Sequence, residues 1–167
     1  MTNTGPTTAG PRLLGPDDGE KLGATGRQDR FMIHSAETDG RFSLVEHILA
    51  PRALAGPMHR HTREDEYTFV LEGRVGATLA GREAVAEAGD LLFKPRGEWH
   101  TFWNAGETTA RMLELISPAG LEDLFRQLDM LTDWPEPAVL ADMAARYGCE
   151  LDFDATGAVI ERHDLEL

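Results

Sequence analysis

Between residues 66 and 116 the chain is cut into short β-prone runs by turn residues at near-regular intervals: Gly73, Ala80-Gly81, Gly89-Asp90, Pro95-Arg96-Gly97 and Asn104-Ala105-Gly106. Punctuation of this kind is the sequence mark of an all-β sandwich or barrel. Upstream, residues 30–35 read as a strand, Asp39-Gly40 as a tight turn and residues 41–49 as a longer strand ended by Ala50-Pro51. A short strand is also expected at residues 12–14. After Ile116 the apolar period lengthens to that of a helix. Ser117 is placed to cap a helix with Pro118 in its first turn, and Leu121, Leu124, Phe125 and Leu128 form one stripe. A second helix is predicted from Pro135 or Pro137 to Tyr147, striped by Leu140, Met143, Ala144 and Tyr147 and stopped by Gly148. Residues 149–167 carry six acids against one Arg and read as a solvated acidic tail. Residues 1–11, small, polar and rich in breakers, are expected to be disordered.

The chemistry-bearing residues are concentrated on the predicted strands. Three of the six histidines, His59, His61 and His100, fall between residues 56 and 104. His59 and His61 are one residue apart, so on a strand both imidazoles leave the same face. Glu66 heads the run Tyr67-Thr68-Phe69-Val70-Leu71, and His100 follows the short run that begins at Gly89 and ends at Pro95. Three imidazoles and one carboxylate on a β scaffold are a usable ligand set for a divalent transition metal. Alternation from these residues puts Thr68 and Val70 on the face of Glu66, with Tyr67, Phe69 and Leu71 opposite; Phe102 and Asn104 share the face of His100, with Trp99, Thr101 and Trp103 opposite. His34 and His47 lie outside this pattern, and either could line a cavity and hydrogen-bond a substrate.

The spacing is His59-x-His61, four residues, Glu66, six residues, Gly73; then Gly89, five residues, Pro95-x-Gly97, two residues, His100, three residues, Asn104. These blocks, 56–73 and 89–104, resemble the paired motifs of the cupin superfamily. The second block matches at each fixed position. The first departs at its start: the family's glycine usually lies six residues before the first His, where this chain has Ala53, with Gly56 nearer. The resemblance covers roughly residues 40–118 and implies a single double-stranded β-helix, a jelly-roll barrel over residues 12–117 with C-terminal helices over 118–148. It further implies that His59, His61, Glu66 and His100 are the metal ligands. Glu64 and Asp65 are rival carboxylates, and only Glu66 keeps the family spacing to Gly73. The run Ser117-Pro118-Ala119-Gly120-Leu121-Glu122-Asp123-Leu124-Phe125 also looks like the tail of bacterial quercetinase-like cupins.

Composition bounds the partners. A formal net charge of −13 and a pI of about 4.8 argue against nucleic acid and anionic membrane surfaces. No run approaches the length of a membrane span, and no basic-then-apolar leader opens the chain, so a cytoplasmic protein is expected. The single Cys149 excludes an internal disulfide and supplies no zinc-finger spacing. At 167 residues the chain fits one domain, and the family default is a homodimer. The quercetinase-like resemblance implies a dioxygenase using Fe, Mn, Ni or Co on a small phenolic or enediol-like molecule, with Glu66 as ligand and base; Zn is compatible with the protein as isolated. The alternatives are a non-redox isomerase, lyase or cyclase using the ion as Lewis acid, and a non-catalytic small-molecule binder. A substrate pocket is expected from Thr68, Val70, Phe102, Phe93, His47 and Met58, a mostly apolar wall with no Lys or Arg inside unless Arg111 of the last barrel strand points inward.

Overall fold

The computed structural model describes residues 10–24 and 26–167. Most of the segment expected to be disordered, 1–11, lies outside the described residues. The chain forms strands β1 (Glu20–Ala24), β2 (Arg27–Ile33), β3 (Ser43–Leu49), β4 (Met58–His61), β5 (Asp65–Glu72), β6 (Arg74–Leu79), β7 (Arg82–Glu87), β8 (Leu91–Lys94), β9 (His100–Asn104) and β10 (Ala110–Ser117). Helices α1 (Glu122–Asp129) and α2 (Pro137–Arg146), strand β11 (Cys149–Asp152) and helix α3 (Phe153–His163) complete it. Two antiparallel sheets face each other, in the orders β1-β2-β3-β10-β5-β8 and β11-β4-β9-β6-β7. The expected all-β jelly roll with C-terminal helices is therefore the fold observed. Among the described residues no helix is long and apolar enough to cross a membrane.

The sheets close because each alternates. On β5, Glu66, Thr68 and Val70 are buried while Asp65, Tyr67 and Phe69 point outward, as the period of two requires. Strand β10, between β3 and β5, buries Ala110, Met112, Glu114 and Ile116 in the same way. The apolar core lies toward one end of the barrel: Leu49, Val70, Val75, Ala77, Phe102 and Met112. The metal-ligand candidates occupy the other end. Gly73 turns β5 into β6 at φ +81, and a Cβ there would meet the Ala110 Cα at 2.9 Å. Both the left-handed backbone and the close approach of β10 demand glycine.

The chain departs from expectation in three places. Ser117 does not cap a helix: it ends β10 opposite Asp65, and its hydroxyl donates to the Arg41 carbonyl at 2.9 Å. Helix α1 starts at Glu122 instead, whose carboxylate accepts the N–H groups of Gly120 at 2.6 Å and Ser35 at 2.8 Å. Residues 12–14 form no strand, and β1 was not anticipated.

Above all, residues 149–167 are not a solvated tail. Strand β11 pairs with β4, the strand that carries His59 and His61. Helix α3 turns Val159 onto Leu54, Met58 and Trp103, so every residue of β9 is buried, its outer face included. The count of acids misled because several of them are structural. Asp152 caps α3 through the Ala155 N–H at 2.8 Å, and Asp164 and Glu166 both hold Arg52.

Replacing Val159 with Asp should destabilise the protein by about 3 kcal/mol or more, since the new charge is buried without a partner. Glu161→Ala, on the exposed face of α3, should stay within about 0.5 kcal/mol of wild type. Urea unfolding of both variants reads the difference; equal stabilities would return this segment to a solvated tail.

Candidate metal centre and its cavity

Strands β4, β5 and β9 each contribute to one cluster. His59 stands opposite His100 in the β4–β9 ladder, and His61 lies one full pleat further along the same face of β4. Glu66 crosses from the facing sheet. The three imidazole centroids are 4.3 to 5.2 Å apart, and one ligand atom from each of the four residues lies within 4.8 Å of the others. His100 Nε2 is 3.1 Å from Glu66 Oε2, and His61 Nε2 is 3.3 Å from Glu66 Oε1. Donors around a tetrahedral or octahedral ion with bonds of about 2.1 Å are separated by distances of this order.

The ring orientations fit an ion. His59 Nδ1–H donates to the Pro57 carbonyl at 2.7 Å, and His100 Nδ1–H to the Glu98 carbonyl at 3.0 Å. Each carbonyl can only accept, so Nε2 is the nitrogen of both rings that is left to face the cluster. Neither nitrogen of buried His61 makes a hydrogen bond of good geometry, Nε2 having only the Glu66 carboxylate at 3.3 Å, an arrangement that a coordinated cation would relieve. The rival carboxylates are elsewhere: Asp65 holds Arg96 at 2.7 Å on the outer face, and Glu64 lies beside Arg63.

Charge in the cluster is set by burial and by neighbours. Burial pushes the Glu66 carboxyl up, yet the Lys94 ammonium at 2.8 Å and the His61 and His100 rings hold it well below the usual carboxylate range. Burial lowers His61, but Glu66 and Cys149 outweigh it and raise the ring to about 10. Burial, reinforced by repulsion from His100 and His61, drives His59 well below its ordinary value, and burial lowers His100. Glu66 is thus kept ionised at the centre of the cluster.

Of the residues expected to form the substrate pocket, the cavity beside the cluster includes two. His47 and Phe102 line it together with Asp29, Phe125 and Trp134. Thr68 and Val70 point inward but are taken up elsewhere: the Thr68 hydroxyl donates to Glu114 Oε2 at 2.7 Å, and Val70 belongs to the apolar core. Phe93 and Met58 do not face the cavity. Lys94 is the partner of Glu66 across β5–β8, so Lys94 points in and Phe93, half exposed at 50%, points out. Met58 precedes inward His59 and therefore leaves the other face, where it meets Trp103 and Val159. Strand parity alone could have found both. The expectation of no interior cation also fails, because Lys94 is fully buried, and it lies 4.4 Å over the Phe102 ring. Arg111 stays at the rim with Glu46 and Glu72.

Sequence reasoning missed a polar chain leading away from the metal cluster. Lys94 Nζ bridges Glu66 and Glu114, the latter at 3.1 Å, and Glu114 Oε2 is 3.9 Å from His47 Nε2. His47 Nδ1 is 2.6 Å from Asp29 Oδ1. Beyond Asp29 lies Asp129 of α1, whose buried carboxyl also pairs with Arg27 at 3.1 Å. Burial and the charge of Asp29 raise Asp129 to about 7. The alternation of β2 and β3 could have placed Asp29 beside His47; nothing local signals Asp129, 100 residues further along the chain.

A family model described as "Cupin domain" matches residues 45–116. Over 93 residues the chain is 35% identical to the tetracenomycin polyketide synthase protein TcmJ of Streptomyces glaucescens, covering 56% of this chain and 62% of that one. Over 82 residues it is 33% identical to the oxidoreductase iacF of Pestalotiopsis fici, covering 48% of this chain and 32% of that one. The matched stretches thus span less than two thirds of either relative. The solved polyketide cyclase RemF of Streptomyces resistomycificus superposes with a TM-score of 0.55 at 28% identity, covering 64% of this chain and 78% of that one.

Elemental analysis should find well under one divalent ion per chain in His61→Ala and Glu66→Gln, and wild-type content in Asp65→Asn. Stoichiometric metal in the first two would remove them from the ligand set. Asp129→Asn tests the polar chain by its pH dependence. A carboxyl at about 7 in the folded chain and 3.8 unfolded binds more protons when folded, so its contribution to stability falls as pH rises between those values. The variant should match wild type at about pH 4 and exceed it at about pH 8 in denaturant titrations.

Proposed function

We propose, from the match of residues 45–116 to a cupin-domain model, that the chain is a metal-dependent, redox-neutral cyclase acting on a small oxygen-rich polyketide or a similar aromatic ketone. The observation that carries this reading is the union of two features in one cavity: the His59, His61, Glu66 and His100 cluster, and walls of Phe102, Phe125, Trp134, Leu124 and Leu128. Flat, apolar walls suit an aromatic or poly-oxo body, and a few convergent polar groups fix its orientation. The likeness to a polyketide synthase protein and to a polyketide cyclase supports the same substrate class.

A divalent ion held by the four residues supplies Lewis-acid polarisation to substrate carbonyl oxygens. The chain's own contribution begins with Lys94, whose ammonium keeps Glu66 ionised and aimed. The carbonyls of Pro57 and Glu98 fix two of the imidazoles as neutral donors. The apolar walls exclude water, which strengthens each electrostatic contact inside and protects reactive enols.

A second reading, oxygen-dependent chemistry of the quercetinase-like kind on a chelating phenol, is favoured by the likeness to an oxidoreductase. Anaerobic loading with Zn, Fe, Mn, Ni and Co separately, followed by incubation with the products of a minimal aromatic polyketide synthase, separates the two. The cyclase reading expects a shift toward further-cyclised product of unchanged oxidation level, with no oxygen uptake. An unchanged product profile, with oxygen consumed in the presence of catechols or flavonols, would give the site to the second reading.

The protein is further proposed to be a cytoplasmic homodimer. Tyr67, Phe69, Leu91 and Phe93 pair across β5–β8 on the outer sheet face, and the last three are exposed. A two-fold contact through that face would cover them. Sedimentation should give a particle of twice the 18.4 kDa chain mass, and a monomer at micromolar concentration would refute it.

A further inference from the structure

The cavity contains a second polar centre that the metal cluster does not use. Asp29 and His47 are cross-strand partners on β2 and β3, so both side chains leave the same inner face. Both are buried, at 4% and 6% exposure, and both line the same cavity as His59, His61 and Glu66. The His47 ring is held between Phe102 and Phe125, each at a centroid distance of 5.6 Å. One nitrogen, Nδ1, is committed to Asp29. The other, Nε2, makes no hydrogen bond among the described residues, its nearest acidic neighbour being Glu114 at 3.9 Å. A histidine kept only for packing would be satisfied at both nitrogens. Glu66, by contrast, has both carboxylate oxygens engaged by Lys94, His61 and His100 and is poorly free to take a proton from substrate.

We infer that His47 is the proton-transfer residue of this cavity and that Asp29 is its positioning residue. The inference rests on the cyclase reading. His47 Nε2 takes a proton from a carbon adjacent to a substrate carbonyl, and the C–H electron pair becomes an enolate. That carbon forms the new C–C bond to a second carbonyl carbon, whose π pair moves to oxygen. The oxygen then takes the same proton back from Nε2 and becomes a hydroxyl. No oxidant or reductant enters, and the product is an isomer of the substrate. Asp29 accepts the Nδ1–H throughout, which leaves the Nε2 lone pair facing the cavity and stabilises the transient imidazolium.

The test uses 2-hydroxyacetophenone, a flat aryl ketone whose two oxygens can chelate a metal and whose methyl protons exchange slowly with solvent. Binding to the zinc-loaded protein is read by the absorbance shift of its phenolate, and proton removal by loss of the methyl ¹H signal in D₂O. Wild type should bind the probe and accelerate exchange. His47→Asn should bind equally and lose at least about 100-fold in exchange rate, and Asp29→Asn about 10-fold or more without loss of binding. Binding without accelerated exchange in wild type, or equal exchange in His47→Asn, overturns the assignment while leaving the metal reading in place. Failure of the zinc-loaded wild type to bind the probe removes the reading beneath it, and the assignment falls with it.

Nitrogen-15 NMR of the metal-free protein adds a readout that needs neither metal nor turnover, and it still decides if His47→Asn does not fold. The Nδ1 of His47 should carry a proton in wild type and change its signal in Asp29→Asn. An unprotonated Nδ1 in wild type overturns the proposed orientation.

Discussion

The inner face of this barrel is organised around a carboxylate that is almost wholly buried. Glu66 is 2% exposed and sits between two β-sheets, where an isolated anion would cost several kcal/mol in desolvation. The fold answers with Lys94 on one side and three imidazoles on the other. Lys94 is itself buried and needs more than one partner, so Glu114 shares it, and Glu114 takes the Thr68 hydroxyl as well. Placing one anion at the metal cluster thus commits inward positions on β5, β8 and β10. The same logic recurs at a third buried glutamate of this sheet, Glu46, which holds both Arg30 and Arg111 at 2.6 Å. These pairs add little net stability beyond offsetting their own burial, but they fix which face of each strand turns inward.

That constraint explains why the C-terminal segment belongs to the fold. Strand β4 is only four residues long and touches β9 through a single pair, so the strand carrying two of the imidazoles is weakly held on that side. Strand β11 pairs with it along its full length, and α3 packs behind it on Met58 and Leu54. A ligand pair held within the tolerance a metal demands needs such backing. Helices α1 and α2 play a different part. Their apolar stripes do not merely cover the barrel: Leu124, Phe125, Leu128, Leu140 and Ala144 form the outer wall of the cavity over the cluster.

The sequence made the barrel and the ligand cluster legible because both are carried by short-range rules. Alternation on β5 and β9 correctly put Glu66, Thr68, Val70, His100 and Phe102 inside. The same rule on β4 and β8 turns Met58 and Phe93 away from the cavity, which is where the structure has them. What no local rule could reach is the identity of the cavity's far wall. Asp129 and Trp134 meet Arg27 only through the docking of the helical cap, and nothing in their neighbourhood along the chain announces a buried carboxylate or a stacked guanidinium. The acidic C-terminus was misread for a related reason. Charge counts register Asp152 and Glu166 as solvating groups and are blind to caps and cross-chain pairs.

The division of labour in the cavity follows from these different origins. Groups that must be placed to within fractions of an ångström, the ligands and the Asp29–His47 pair, stand on strands whose ladders leave them little freedom. The outer wall of the cavity, Phe125, Leu128 and Trp134, stands instead on the helical cap. The two meet where Asp129 of the cap lies against Asp29 of the barrel, with Arg27 neutralising the pair and stacking over Trp134 at 4.4 Å. Arg27 thus ties the helical cap to the barrel at the point where Asp129 meets the Asp29–His47 pair.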